Sequence, residues 1–222
     1  MNNNLSEQEY YKKLFVENPR WNKATPNNEE KLRWDIIDKF IRYIVDGDKD
    51  IEKSKRHILD VGCGRGWLCN LLTEYGDVTG IEPVEEVVKF ANNLFPLLDI
   101  RTGTTKMLLA NKQFEKYDII VCSEVIEHIP DRLKSDFVND LKLLLQTNGF
   151  LIVTTPRKEV QVEWMNFTSP DQPIEDWLDE KSLEQLFTKA NFNAHFTERY
   201  SVQPTESSPQ IEVYQLWLFQ KI

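Results

Sequence analysis

Apolar residues in this chain follow a helical period first and a strand-and-helix alternation afterwards. Leu32, Ile36, Ile37, Phe40, Ile41 and Ile44 recur at helical spacing and predict an amphipathic helix. Thr25-Pro26-Asn27-Asn28-Glu29-Glu30 supplies its start, with acids in the first turn, and Gly47 with the charged stretch to Lys55 closes it. Short apolar runs then predict strands at 57–61, 77–82, 99–101, 117–122 and 150–155. Between them, helices are expected after Gly66 through Leu72, from Pro83 at a first helical position, around 107–110, and over 130–146 with Asn148-Gly149 as the stop. This alternation predicts a parallel sheet covered by helices on both faces. The last third differs: a helix over 180–190 precedes strands at 192–200 and 211–220. A polar loop with Pro204, Ser207, Ser208 and Pro209 joins those strands, which predicts antiparallel neighbours. Residues 5–24 scatter Tyr10, Tyr11, Leu14, Phe15 and Trp21 among charges and read as a short helix or a lid. The division expected is an arm over 1–26 and one domain over 27–222, a length that can bury a sizeable core.

Asp60-Val61-Gly62-Cys63-Gly64-Arg65-Gly66 joins the first expected strand to its helix. Glycines there let the backbone turn sharply and approach a ligand at the strand ends, where open α/β sheets bind. Glu82 follows at the end of the next strand, about 20 residues on, where an acid can hold two ribose hydroxyls. Two ligand classes use this frame. A nicotinamide dinucleotide expects G-x-G-x-x-G, with pyrophosphate on the helix N-terminus. Here the pattern is G-x-G-x-G, Trp67 stands where the last glycine would be, and Asp60 is a poor neighbour for pyrophosphate. That acid suits a ligand with an ammonium group. S-adenosylmethionine has an amine, a ribose and no phosphate.

Charge and cysteine usage narrow the partners. A formal net charge of −9 and a pI near 5.0 disfavour a nucleic acid or an anionic membrane surface. Cys63, Cys69 and Cys122 are odd in number, show no metal-ligand spacing and point to a reducing compartment. Residues 1–13 lack an apolar signal core and no run could span a membrane, so the chain reads as cytoplasmic. The pattern leaves the oligomeric state open.

Ile58 through Gly66, then Gly80-Ile81-Glu82-Pro83, then Tyr117-Asp118-Ile119-Ile120-Val121-Cys122, resemble the successive motifs of class I S-adenosylmethionine-dependent methyltransferases. The resemblance continues through Gly149-Phe150-Leu151-Ile152-Val153-Thr154-Thr155-Pro156 and the closing strand pair. It implies a Rossmann-like, seven-stranded, mostly parallel sheet whose last strand is antiparallel and inserted between its neighbours. It also implies that Asp60, Gly62, Cys63, Gly64 and Gly66 hold the methionine part of the cofactor and Glu82 its ribose, with Pro83 and Ser123 beside them. Such enzymes often carry an acid near the adenine amine after the third strand. This chain has Gly103-Thr104-Thr105 there, so backbone groups or the hydroxyls of Thr104 and Thr105 are expected to serve adenine.

Glu124-Val125-Ile126-Glu127-His128 follows the fourth strand. In one helical turn, Glu124, Glu127 and His128 would share a face. His128 could then take a proton from an acceptor hydroxyl, or the three could bind a divalent metal that orients the acceptor. The segment resembles Glu-x-x-Glu-His in two branches: small-molecule O-methyltransferases, including those of ubiquinone biosynthesis, and metal-dependent RNA 3′-terminal 2′-O-methyltransferases. The RNA branch has a further downstream histidine; here His57 opens a strand at the wrong sheet end and His195 lies in the sixth strand. Residues 157–178 form a long connection at the ligand edge, with Trp164, Asn166, Asp171, Gln172, Glu175, Asp176 and Trp177. Aromatic and polar groups together suit a polyhydroxylated or amine-bearing acceptor, although the tryptophans could equally cap the core. The expected activity is methyl transfer to an oxygen, rather than a nitrogen, of a polar small molecule such as a sugar or natural-product intermediate. The alternatives are RNA-end methylation, nicotinamide-dependent oxidoreduction and a non-catalytic cofactor-binding partner subunit.

Overall fold

A computed structural model describes residues 6–47, 52, 55–169 and 172–222. Its strands are β1 (His57–Val61), β2 (Asp77–Glu82), β3 (Asp99–Thr102), β4 (Tyr117–Ser123), β5 (Leu145–Pro156), β6 (Phe192–Val202) and β7 (Ile211–Lys221). They form one sheet in the order β3-β2-β1-β4-β5-β7-β6. The neighbours from β3 through β5 pair in parallel, whereas β7 runs antiparallel to both β5 and β6. This is the Rossmann-like sheet with the inserted last strand that the motifs imply.

Successive residues of a strand face opposite sides of a sheet. Ile58, Ile119, Val121, Ile152, Leu216 and Leu218 accordingly enter one core, and Leu59, Val61, Ile120, Cys122, Leu151 and Val153 the other. Because both faces are covered, the strands read as continuous apolar runs rather than alternating ones. On the first face lie α2 (Asn28–Gly47), α3 (Trp67–Leu72) and α4 (Glu85–Leu94); on the second lie α5 (Thr105–Ala110), α6 (Asp131–Leu144) and α8 (Glu180–Lys189). N-terminal to them, α1 (Glu7–Lys12) runs into a π-helical turn over Lys13–Glu17, and α7 (Gln161–Met165) lies within the long connection after β5.

Two expected boundaries are corrected. Pro83 does not begin α4. The Glu82 carboxylate accepts the Val84 N–H at 3.0 Å, Val84 stays extended, and the helix starts at Glu85. Asn148-Gly149 does not end α6 either. The helix closes at Leu144, and Asn148, at φ 63°, lies in an irregular stretch within β5 where the register with β4 shifts. The expected tail of the first helix, from residue 48 through 51 and at 53–54, and the loop residue Asp171 lie outside the described residues.

Candidate active site

The carboxyl ends of β1, β2 and β4 open on a cavity of about 440 Å³. Asp60, Gly62, Cys63, Gly64, Glu82, Pro83, Ser123, Glu124, Glu127 and His128 all line it. An adjoining cavity of about 240 Å³ is lined by Gly103, Thr104 and Thr105, and shares Gly62, Pro83, Val125 and Ile129 with the first. Ten of the expected cofactor, catalytic and metal positions thus meet in one space, and the two threonines sit in the next.

The glycine loop takes its shape from the sheet. Gly62 and Cys63 both donate their N–H to the Ile81 carbonyl, at 2.8 and 3.0 Å. Gly62 sits at φ +69°, and a side chain there would come 2.6 Å from Val125 Cγ2, so only glycine keeps this turn open. Gly66 lies at the start of the helix that follows the loop. At φ +84° it caps α3, lines neither cavity, and leaves room for Ile100 Cδ1, which an added Cβ would meet at 2.5 Å. Glu82 binds the loop from below: Oε2 accepts the Gly64 N–H at 3.2 Å while Oε1 accepts from Val84. Asp60 accepts a hydrogen bond from the Cys69 thiol at 3.1 Å. Burial pushes both carboxyls up, Asp60 to about 7 and Glu82 to about 7.

The five residues after β4 do not make one helical turn. Glu124 sits at φ 56°, and only Ile126–His128 coil, as a single 3₁₀ turn. The left-handed residue swings Glu124 to its own partners: Oε1 accepts from the Thr154 hydroxyl at 2.7 Å, and Oε2 lies 3.6 Å from Arg33 Nη2. Glu127, 2% exposed at its side chain, accepts from the Thr155 hydroxyl at 3.0 Å through Oε2. Burial raises both carboxyls to about 8. Among the described residues, no three His, Cys, Asp or Glu side chains gather closely enough to hold a metal ion.

His128 is held by its ring. Nδ1 lies 2.9 Å from the Ile174 carbonyl, which can only accept, so Nδ1 carries a proton and, in the neutral ring, the lone pair is on Nε2. Nε2 stands 3.7 Å from Glu127 Oε1, and the Tyr11 ring meets the imidazole edge-on at 6.0 Å. The connection after β5 supplies Trp164, Gln172, Glu175 and Trp177 to the cavity. Asp176 turns away and caps α6 instead, its carboxylate accepting the Asp131 N–H at 3.1 Å. Asn166 is not among the lining residues.

Several site residues carried no recognised signal in the sequence. Arg65, fully buried, forms two 2.7 Å hydrogen bonds to the Glu30 carboxylate and also donates to the carbonyls of Lys23 and Thr25. Arg33 donates to the Tyr200 hydroxyl at 3.1 Å and lies over the Tyr214 ring. Glu30 and Arg33 continue the buried stripe of α2 formed by Ile37, Phe40, Ile41 and Ile44. Charges on a helix's buried stripe are the signal that could have found them.

A family model described as a methyltransferase domain matches residues 29–195. The ubiquinone biosynthesis O-methyltransferase of Actinobacillus pleuropneumoniae serotype 7 (strain AP76) is 35% identical over 108 residues, 45% of this chain and 45% of its own. Its counterpart from Histophilus somni (strain 2336) is 30% identical over 160 residues, 68% and 64% of the two chains. The chain spans about half the length of the first of these relatives. Among solved structures, the PH0226 protein of Pyrococcus horikoshii OT3 superposes with a TM-score of 0.69 at 16% identity, over 96% of this chain and 99% of its own. The magnesium protoporphyrin IX methyltransferase of Synechocystis PCC 6803, solved with bound SAM, gives 0.66 at 16% identity over 100% of both chains. No helix among the described residues is long and apolar enough to cross a membrane.

Proposed function

We propose, on the premise that this chain belongs to the class I S-adenosylmethionine-dependent methyltransferases, that it moves a methyl group to a hydroxyl of a polar small molecule. The observation that carries the reading is the continuity of one cavity, from the buried Asp60 and Glu82 at its cofactor end to the bare Nε2 of His128 at the other. The residues present fit the cofactor. Asp60 is 1% exposed and is held by the thiol and the backbone N–H of Cys69, neither of them a cation, so an ammonium group beside it would restore its charge. Each Glu82 oxygen accepts one backbone N–H and keeps a lone pair for a ribose hydroxyl. Thr104 and Thr105 stand at the adjoining cavity, where the adenine is placed. When bound, the cofactor supplies an electrophilic, sulfonium-borne methyl group.

Most of the rate then comes from alignment of the acceptor against that methyl. His128 Nε2 removes the acceptor's hydroxyl proton, and the imidazolium so formed faces Glu127 Oε1. The named activity of the curated relatives, O-methylation in ubiquinone biosynthesis, supports oxygen as the acceptor atom. The test is thermal stability with each ligand. S-adenosylhomocysteine at a hundred times its Kd stabilises by ~2.7 kcal/mol and NAD leaves the melting temperature unchanged. Stabilisation by NAD alone would overturn the assignment.

The arm over residues 1–26 serves in this reading as a lid, residues 1–5 lying outside the described ones. Phe15 lies against Gly64, where an added Cβ would come 3.2 Å from its ring, and Tyr11 donates to Gln172 at 3.4 Å across the opening. No residue of α1 or of the turn after it is buried, so the segment has little apolar area to hold it closed alone. Hydrogen exchange over 6–24 slows when S-adenosylhomocysteine is added. Equal exchange with and without it would show a fixed arm.

A further inference from the structure

Ion pairs in the cavity can be followed one by one. Arg65 is taken by Glu30 at 2.7 Å, Arg20 reaches Glu29 at 3.3 Å, and Arg33 faces Glu124 at 3.6 Å. At the cofactor end Asp60 and Glu82 await the amine and ribose. Two carboxylates at the acceptor end, Glu127 and Glu175, form no ion pair with a lysine or arginine among the described residues; the His128 ring is the group of potential positive charge beside both. Glu127 is almost wholly buried, and the nearest positive candidate is the His128 ring at 3.7 Å, whose Nε2 bears a lone pair in the tautomer described. Glu175 gives Oε2 to the Trp177 indole N–H, while its Oε1 is buried with no hydrogen-bond partner. A buried acceptor without a donor costs about 1–3 kcal/mol, and more when it is charged. Both side chains line the cavity, so the missing donor can come from a guest.

The walls narrow the kind of cation. Tyr11, Trp164 and Trp177 line the same space. Aromatic faces attract organic ammonium groups, which are easier to strip of water than a divalent ion. The carboxylates do not converge as metal ligands do: Glu124 is drawn off toward Arg33, and no three candidate ligands gather among the described residues.

Resting on the methyl-transfer reading above, we propose that the acceptor carries a protonated amine beside its reacting hydroxyl, seated on the carboxylates of Glu175 and Glu127 within these aromatic walls. The substrate class is therefore an amino alcohol or amino sugar type of molecule rather than a neutral polyol. The ammonium donates to Glu175 Oε1 and Glu127 Oε1, and the hydroxyl is left facing His128 Nε2. The raised carboxyls of both residues fit this picture: burial favours the protonated form more strongly than His128 near Glu175 or Arg33 near Glu127 opposes it, and an ammonium reverses the balance.

The test is calorimetry on the protein loaded with S-adenosylhomocysteine, using benzylamine, tyramine and glucosamine against benzyl alcohol, tyrosol and glucose. At least one ammonium probe binds about ten-fold or more tightly than its neutral counterpart. Glu175→Gln removes that preference while S-adenosylhomocysteine still binds as to the unaltered protein. Should the variant fail to fold, the paired comparison on the unaltered protein decides. The proposal is overturned if no ammonium probe is preferred, including the case in which none binds, or if the preference survives Glu175→Gln. It is also overturned if magnesium or manganese chloride binds the loaded protein and abolishes the preference, for the carboxylates then serve an inorganic cation. Failure of S-adenosylhomocysteine itself to bind is a separate result, and defeats the methyl-transfer reading.

Discussion

Replacing His128 by alanine lowers turnover on a hydroxyl acceptor by roughly 10²–10⁴-fold, while S-adenosylhomocysteine binds as before. The loss is large because an alcohol is a poor nucleophile until its proton leaves. The Ile174 carbonyl fixes the imidazole with its lone pair on Nε2, so the base is already in the tautomer that accepts a proton. Cofactor affinity is spared because the expected contacts come from Asp60, the glycine loop and Glu82. Single-turnover rates separate this effect from slow product release, and an amine acceptor that arrives neutral serves as the control, because it needs no base. A chelator arm belongs in the same experiment. Loss of activity with chelator, restored by a divalent ion, would move Glu124, Glu127 and His128 from acid–base work to metal binding. Activity that ignores chelator and survives His128→Ala would remove both roles and leave the 3₁₀ turn as a connector.

Arg65→Ala lowers folding stability by about 3–5 kcal/mol, the cost of stranding one partner of a buried ion pair. Glu30 is 2% exposed, and its carboxylate accepts two hydrogen bonds from the guanidinium beside one from the Asn27 N–H, so the substitution leaves a buried carboxylate without its cation and with a single donor. The carbonyls of Lys23 and Thr25 lose their donor in the same step. Urea denaturation measures the change. The double substitution Arg65→Leu with Glu30→Leu recovers most of it, because no charge then remains in the interior. A single-variant loss below about 1 kcal/mol would mean that water reaches Glu30 and that the pair behaves as a surface one. Since Arg65 sits inside the glycine loop and Glu30 on α2, the pair also fixes the loop against the first helix.

β1, β2 and β4 were legible because they are short and buried along most of their length, so their runs stand out between helices; β3, where only Ile100 is buried, was the faintest. Asp60, Glu82 and the glycine turn were legible for a related reason: their positions follow from strand ends, which local sequence marks well. What escaped depends on partners far along the chain. Arg65 and Glu30 are 35 residues apart, and Arg33 meets Tyr200 across 167 residues, separations that no window of sequence spans. Backbone at positive φ outside glycine was a second blind spot. Glu124 at 56° broke the expected helical turn, and Asn148 at 63° put an irregularity inside β5 where a helix stop was expected. Glu175 was visible as a polar residue in the acceptor connection. Its unpartnered oxygen became visible only with the fold, when Trp177 took the other one.

The inserted strand β7 sets an order of events during synthesis. Its neighbours on either side, β5 and β6, are both translated before it, and β6 pairs with no other strand among the described residues. While the ribosome makes the first 210 residues, the sheet can close only as far as β5, and the apolar row of β5 lies open as an edge. At about 5–20 residues per second, β7 follows within seconds, and one strand then completes two ladders at once. Until that moment the nascent chain exposes the kind of edge that invites pairing with another chain. A stall after β5 is complete and before residue 211 therefore yields a five-stranded intermediate in need of chaperone cover.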